Sequence, residues 1–160
     1  MSGLFRLEAT LAKPTTLSAA KLLIMLGDGA SPTEVFAAPC GLTTKGINFS
    51  AASNDITVPD CDDPDAASWS ERVISALSGT VSGSGVLAME SLETWRDYFF
   101  GGVSKNARVK IDTTLANNGG YFEGAFILTT FNITGEIGNK IQVEIELQND
   151  GEVTWVAASA

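Results

Sequence analysis

Ile141, Val143, Ile145 and Leu147 are apolar, and Gln142, Glu144, Glu146 and Gln148 alternate with them as polar or acidic residues. Side chains of a strand point to opposite faces at each step, so a period of two commits this segment to a half-buried strand. One-sided strands belong to antiparallel sheets, because parallel sheets are covered on both faces and appear as continuous apolar runs. The chain is therefore expected to be mainly β. Taken alone, the Glu and Gln stripe is a solvated sheet face.

Other segments fit the same plan. Residues 21–26 (Lys-Leu-Leu-Ile-Met-Leu) lead into Gly27-Asp28-Gly29, a buried strand closed by a tight turn. Strand-like runs follow at residues 34–38, 46–52 and 55–58, each bounded by Pro, Gly, Asn or Asp. Residues 59–65 hold four aspartates and two prolines, which excludes a central strand and dictates a solvent-facing loop. Residues 71–88 place Val73, Leu77 and Val81 among many Ser and Gly, as in long, twisted or bulged strands. The helical segment is residues 91–100, with Ser91 as N-cap, Leu92, Trp95 and Phe99 on one face, and Gly101-Gly102 as the stop. Strands at residues 107–113 and 121–134 flank a turn at residues 117–120, and Asn149-Asp150-Gly151 turns into a last strand at residues 153–156. About eight strands and one helix predict an antiparallel β-sandwich or barrel with one short flanking α-helix at about residues 91–100. Residues 1–19, where Leu4, Leu7 and Leu11 meet Pro14, form an N-terminal arm; residues 20–157 form the domain and residues 158–160 a tail.

Composition narrows the function. The chain has 160 residues, the size of one domain, and only 18% are charged, where about a quarter is usual. Part of its exterior is thus expected to be covered by partners. Nineteen acidic residues against ten basic ones give a net charge of −9, which disfavours tight binding to a phosphate backbone. Histidine is absent, which removes the usual general base near neutral pH and with it the Ser-His-Asp and Cys-His arrangements. Cys40 and Cys61 are too few for a structural zinc site, and without a secretory signal they are expected to stay unpaired. The longest apolar run, residues 22–26, is far short of a membrane span. Without a basic start followed by an apolar core, the protein is expected to be made and kept in a cytoplasm unless another machine exports it.

Individual motifs yield no chemistry. Asp60, Asp62 and Glu71 fall at positions 1, 3 and 12 of a hypothetical calcium loop, but Pro64 and Asp65 stand where a ligand and a turn glycine belong. Residues 78–85 are rich in Gly and Ser without the Lys of a phosphate loop, so they are expected to form a bulged or flexible strand connection. The sequons at Asn48 and Asn132 lie within predicted strands, where chance explains them. Trp95, Tyr98, Phe99 and Phe100 suggest core packing, because no convergent polar set accompanies them. Trp69 either anchors the base of the acidic loop or docks on a neighbour. No catalytic, cofactor-binding or metal-binding residue is expected.

Several stretches together carry a resemblance: residues 22–29 (Leu-Leu-Ile-Met-Leu-Gly-Asp-Gly), Val35-Phe36, residues 43–50, residues 54–60, and the acidic loop with Trp69. Residues 124–135 and residues 141–147 followed by Gly151 complete it. Over roughly residues 20–157 this arrangement resembles the major tail tube proteins of long-tailed bacteriophages. The resemblance implies a structural virion protein with neither catalytic residues nor cofactors, closing into hexameric rings that stack into the tube through which the genome passes. The inter-ring stacking loop it implies is Asp60, Cys61, Asp62, Asp63, Pro64 and Asp65, with Trp69 at its base; residues 1–19 become an arm ordered by neighbours.

The implied partners are the chain itself, a tail tape-measure protein and a tail terminator or completion protein. DNA passes without specific binding, and the subunit does not insert into a membrane. The location is the virion tail, assembled in the host bacterial cytoplasm. In such a ring the stripe Gln142, Glu144, Glu146 and Gln148 becomes a candidate lining of the lumen. Six copies at −9 each carry about −54, a field that weighs against DNA adhering to the wall and makes assembly sensitive to salt. Edge strands of a small sandwich would be satisfied by joining neighbours in a closed ring. The alternatives are a β-sandwich carbohydrate- or receptor-binding module of a virion, or the tube protein of a contractile or secretion-type injection machine.

Overall fold

In the computed structural model, which describes residues 12–160, the alternating segment becomes strand β7 (Gln142–Asn149) with Val143, Ile145 and Leu147 buried and Gln142, Glu144 and Gln148 exposed. Before it come β1 (Leu22–Gly27), β2 (Phe36–Ala37), β3 (Leu42–Thr57), β4 (Ser70–Val86), helix α1 (Met89–Gly101), β5 (Lys105–Ile111) and β6 (Gly120–Thr134). β8 (Thr154–Ala157) follows it. The strands run in the order β2-β1-β5-β6-β7-β4-β3, every pair antiparallel, and β8 extends the partner line of β6. The expected class, mainly antiparallel β with a single α-helix, is what the structure shows. The sheet rolls around one core of Ile24, Val81, Trp95, Tyr98, Phe126 and Ile145 until Lys45 of β3 reaches Leu22 of β1.

Four elements differ from expectation. First, the runs at residues 46–52 and 55–58 are one strand, β3, which absorbs the break as a register shift between Ala52 and Ser53. Second, residues 78–85 are part of the long strand β4 and not a connection: β4 pairs with β7 in unbroken register from Thr80 to Val86, and the expected irregularity lies on its other side, where the β3 register shifts between Leu42 and Thr44 opposite Gly85 and Ser84. The glycines of this segment are needed for close approach: a Cβ on Gly85 would lie 2.2 Å from the Gly41 carbonyl oxygen, and one on Gly83 would press Leu42 at 3.1 Å.

Third, α1 begins at Met89 and is capped by Ala88, which makes no side-chain cap bond. Ser91 lies inside the first turn and buried, its Oγ accepting from Cys40 N–H at 3.0 Å and donating to Cys40 O at 3.3 Å. The inward face is Ser91, Trp95 and Tyr98, and Phe99 remains 38% exposed. Tyr98 goes inside because its hydroxyl finds the Phe126 carbonyl, a partner Phe99 has no group to use. The helix does stop at the glycine pair, with Gly102 left-handed at φ 64°.

Fourth, Asn149-Asp150-Gly151 does not reverse the chain. Asp150 N–H donates to Ala125 O at 2.8 Å, and β8 continues along β6 in the direction of β7. The arm expected at residues 1–19 falls on residues 1–11 outside the described part; residues 12–18 are exposed and non-helical, and Ala19–Lys21 is a single 3-10 turn.

Candidate functional site

β7 is flanked by β4 and β6, so the partners of its polar stripe follow from the ladder. Glu144 lies between Ser84 and Asn132, Glu146 between Ser82 and Thr130, Gln148 between Thr80 and Ile127, and Gln142 between Val86 and Thr134. β3 adds Thr44 and Asn48 beyond β4. All four stripe residues predicted from the sequence therefore share one face, and six of their eight neighbours are hydroxyls or amides, the other two being Ile127 and Val86. Glu144 and Glu146 are the two side chains on this wall that ionise at neutral pH. Gln148 Nε2 donates to Glu146 Oε1 at 3.3 Å. Sequence reasoning missed the contribution of β4. Its signal was present in Thr80, Ser82 and Ser84, which alternate with Val81 and the glycines at 79, 83 and 85.

β3 and β4 pair as far as Thr57 and Ser70, but β7 covers β4 only from Thr80 onward. Residues 50–57 and 70–78 thus form a two-stranded arm, exposed throughout. Such a ribbon is marginal in water without a third strand. The ion pair between Arg72 Nε and Asp55 Oδ1 at 3.0 Å is exposed and adds little. Ile74 and Leu77 stand 63% and 75% exposed on this arm, an apolar surface of the kind that is covered in assemblies.

The candidate stacking loop, Asp60 to Asp65, is the tip of this arm. Asp60 Oδ1 accepts from Asp62 N–H at 2.8 Å and Asp63 O accepts from Ala66 N–H at 3.1 Å, so the tip is a turn held by its own backbone. Trp69 does not pack beneath that tip; it is 93% exposed. Cys61 at the tip and Cys40 beside α1 are both free and exposed.

Between the root of the arm and the β7–β8 link runs an open groove of about 850 Å³, lined by Phe49, Ile74, Leu77, Asn149, Glu152 and Val153. A second cleft, between β2 and α1, carries Asp28, Glu90, Glu93 and Asp97 with Lys105. On its rim the Asp28 carboxylate accepts from the N–H groups of Ala30 and Val35 at 2.9 and 3.0 Å, and these bonds hold its pKa below the ordinary 3.8. Burial pushes the Tyr98 hydroxyl up to about 12. Among the described residues no group of three or more His, Cys, Asp or Glu is placed to hold a metal ion.

A family model described as "Phage tail tube protein" matches residues 16–155. No curated protein matches the chain. Among solved structures, the chain resembles a protein in the tail of an empty GTA particle computed with helical refinement in C6 symmetry, at TM-score 0.73 and 23% identity, covering 89% of this chain and 100% of that one. It also resembles a chain of the virion of a native gene transfer agent particle, at TM-score 0.71, 23% identity and the same coverage. The SPP1 tail tube matches at TM-score 0.64 and 9% identity, over 89% of this chain and 80% of that one.

Proposed function

We propose, given that the chain belongs to the phage tail tube protein family, that six copies close into a ring with the β3-β4-β7-β6 wall facing the bore. It is a structural protein of the tail tube. The rings stack into the conduit through which the genome leaves. The observation that carries this reading is the wall itself: four strands wide, polar, and charged only by Glu144 and Glu146. Such a surface suits water and moving DNA, since it has no cation to hold a phosphate and no apolar group broad enough to hold a base.

Two unpaired edges support closure into a ring. β3 pairs with β4 alone along its whole length, and β6 beyond Phe126 pairs with β7 alone. They bound the wall on opposite sides, so a row of copies joined edge to edge continues the wall and satisfies both. The C6 symmetry of the similar gene transfer agent tail supports six as the copy number. The arm, with residues 59–65 at its tip and Trp69 beside it, reaches past the end of the wall and serves contact between successive rings.

On this reading the bore first holds a tape-measure protein, a terminator or completion protein caps the tube, and DNA slides through without specific binding. The chain performs no catalysis and is assembled into virion tails in the host bacterial cytoplasm. Electron cryomicroscopy of the concentrated protein tests the reading. Hollow tubes of six-fold rings with β7 toward the axis are expected; a permanently monomeric species, or a tube with Glu144 and Glu146 on its outer surface, overturns it.

A further inference from the structure

We infer, building on the tube reading above, that Ile137 is an axial knob that seats in the arm-root groove of the next ring's copy, with Lys140 pairing to that copy's Glu152. Residues 135–141 join β6 to β7 at the end of the wall where Thr134 and Val86 both face Gln142. The groove lies at the other end, where Phe126 faces Asn149 and Gly79 N–H donates to Asn149 Oδ1 at 3.0 Å. Knob and groove therefore cap opposite ends of the same strands. Head-to-tail stacking brings those two ends together at every ring boundary.

The turn presents its apolar residue deliberately. Asn139 N–H donates to Glu136 O at 3.0 Å and Gly138 has φ 95°, so Ile137 occupies the leading corner of a closed turn. It is 105% exposed, more open to water than an extended-chain residue. A lone exposed apolar side chain is ordinary. Here it comes with a receiving surface, an open groove of about 850 Å³ whose Ile74 and Leu77 are themselves 63% and 75% exposed. Charges match as well. Lys140 closes the turn and Glu152 lines the groove, and among the described residues neither has an ion-pair partner. Repetition around each ring makes a shallow contact durable.

Three variants test this by electron microscopy of assembled protein: Ile137→Asp, Lys140→Glu, and Lys140→Glu combined with Glu152→Lys. Ile137→Asp, altering a side chain wholly in water, should keep the monomer's thermal unfolding and ring formation while losing stacked tubes. Lys140→Glu should shorten tubes, and the double variant should restore their length. Tubes of ordinary length from Ile137→Asp, loss of rings along with tubes, or no recovery in the double variant overturns the inference while leaving the tube reading in place. Wild-type protein that never forms tubes overturns that reading and this contact with it.

Discussion

The Lys45 ammonium of β3 donates a 2.9 Å hydrogen bond to the Leu22 carbonyl of β1, bridging the seam where the first and last parts of the rolled sheet meet. A lysine on the inner side of a strand keeps its stem against apolar neighbours while its head finds a carbonyl with no ladder partner on that side. Replacing Lys45 with Met keeps the stem and removes the donor. A hydrogen bond to a charged group is worth about 1.5–3 kcal/mol, and partial exposure places this one at the low end. Lys45→Met should therefore lower unfolding stability in denaturant titration by about 1.5 kcal/mol with an unchanged slope. An unchanged midpoint would show that the seam closes without it.

Tyr98 ties α1 to β6, and its raised pKa sets an alkaline limit on the fold. The group is neutral when protonated, and folding holds that form up to about 12 against 10.0 in the free side chain. Below the unfolded value both states are neutral and stability is flat. Between about 10 and about 12 the unfolded chain ionises first, so stability falls as pH rises. Tyr98→Phe should cost about 1 kcal/mol at neutral pH through the lost hydrogen bond and should flatten this alkaline slope. Denaturant titrations across the window check both effects.

Asp28 gives the opposite sign. Its carboxylate is held ionised by the Ala30 and Val35 N–H groups, so its contribution is present above the ordinary pKa and disappears as pH falls through the lowered folded value. Asp28→Asn keeps an acceptor oxygen and removes the titration. The Ala30 and Val35 amide resonances should shift together on acidification in the parent chain, and should stay still in the variant.

The strands that alternate strongly were legible, because one buried face fixes their period whatever surrounds them. β7 is of this kind, with Val143, Ile145 and Leu147 buried between its polar residues. The phase of α1 was not, because Ser91 and Tyr98 turn inward for partners, the backbone of Cys40 and Phe126, that lie 51 and 28 positions away. The arm was obscured because Asn54 and the Gly/Ser-rich residues look like breakers, and nothing local indicates that the partner strand runs on past them. The continuation from β7 to β8 was hidden by a strong turn signal. There the chain passes over Gly124, where an added Cβ would lie 2.9 Å from the Glu152 carbonyl oxygen. The stripe of Glu144 and Glu146 was visible, whereas the wall around it required the pairing of β3, β4 and β6.

Gly85 tests whether the Gly/Ser pattern of β4 is structural. An added methyl would lie 2.2 Å from the Gly41 oxygen and 2.7 Å from the Thr43 nitrogen, both backbone atoms that no rotamer change moves. Overpacking of this kind costs about 1–3 kcal/mol even where side chains can yield. Gly85→Ala should thus cost at least about 2 kcal/mol and separate Leu42 from β4. Ser82→Ala, on the exposed face of the same strand, should change stability by less than about 0.5 kcal/mol. Equal melting temperatures for the two variants would remove the packing account.

Glu144 is exposed and Glu146 half-buried on β7, and neither makes an ion pair among the described residues, so reversing both to Lys should leave the monomer's fold intact. If the wall lines the bore, the two replacements add four positive charge units per copy relative to the parent, directly beside the passing phosphates. DNA should then leave the particle more slowly. The retardation should also fade with salt, because screening shortens from about 10 Å at 0.1 M to about 3 Å at 1 M, well within the width of a duplex. Ejection kinetics from particles carrying the double variant, measured at both ionic strengths, read the effect directly. Slowing at low salt that disappears at high salt places the carboxylates in the bore, and parental kinetics at low salt places them on another face of the tube.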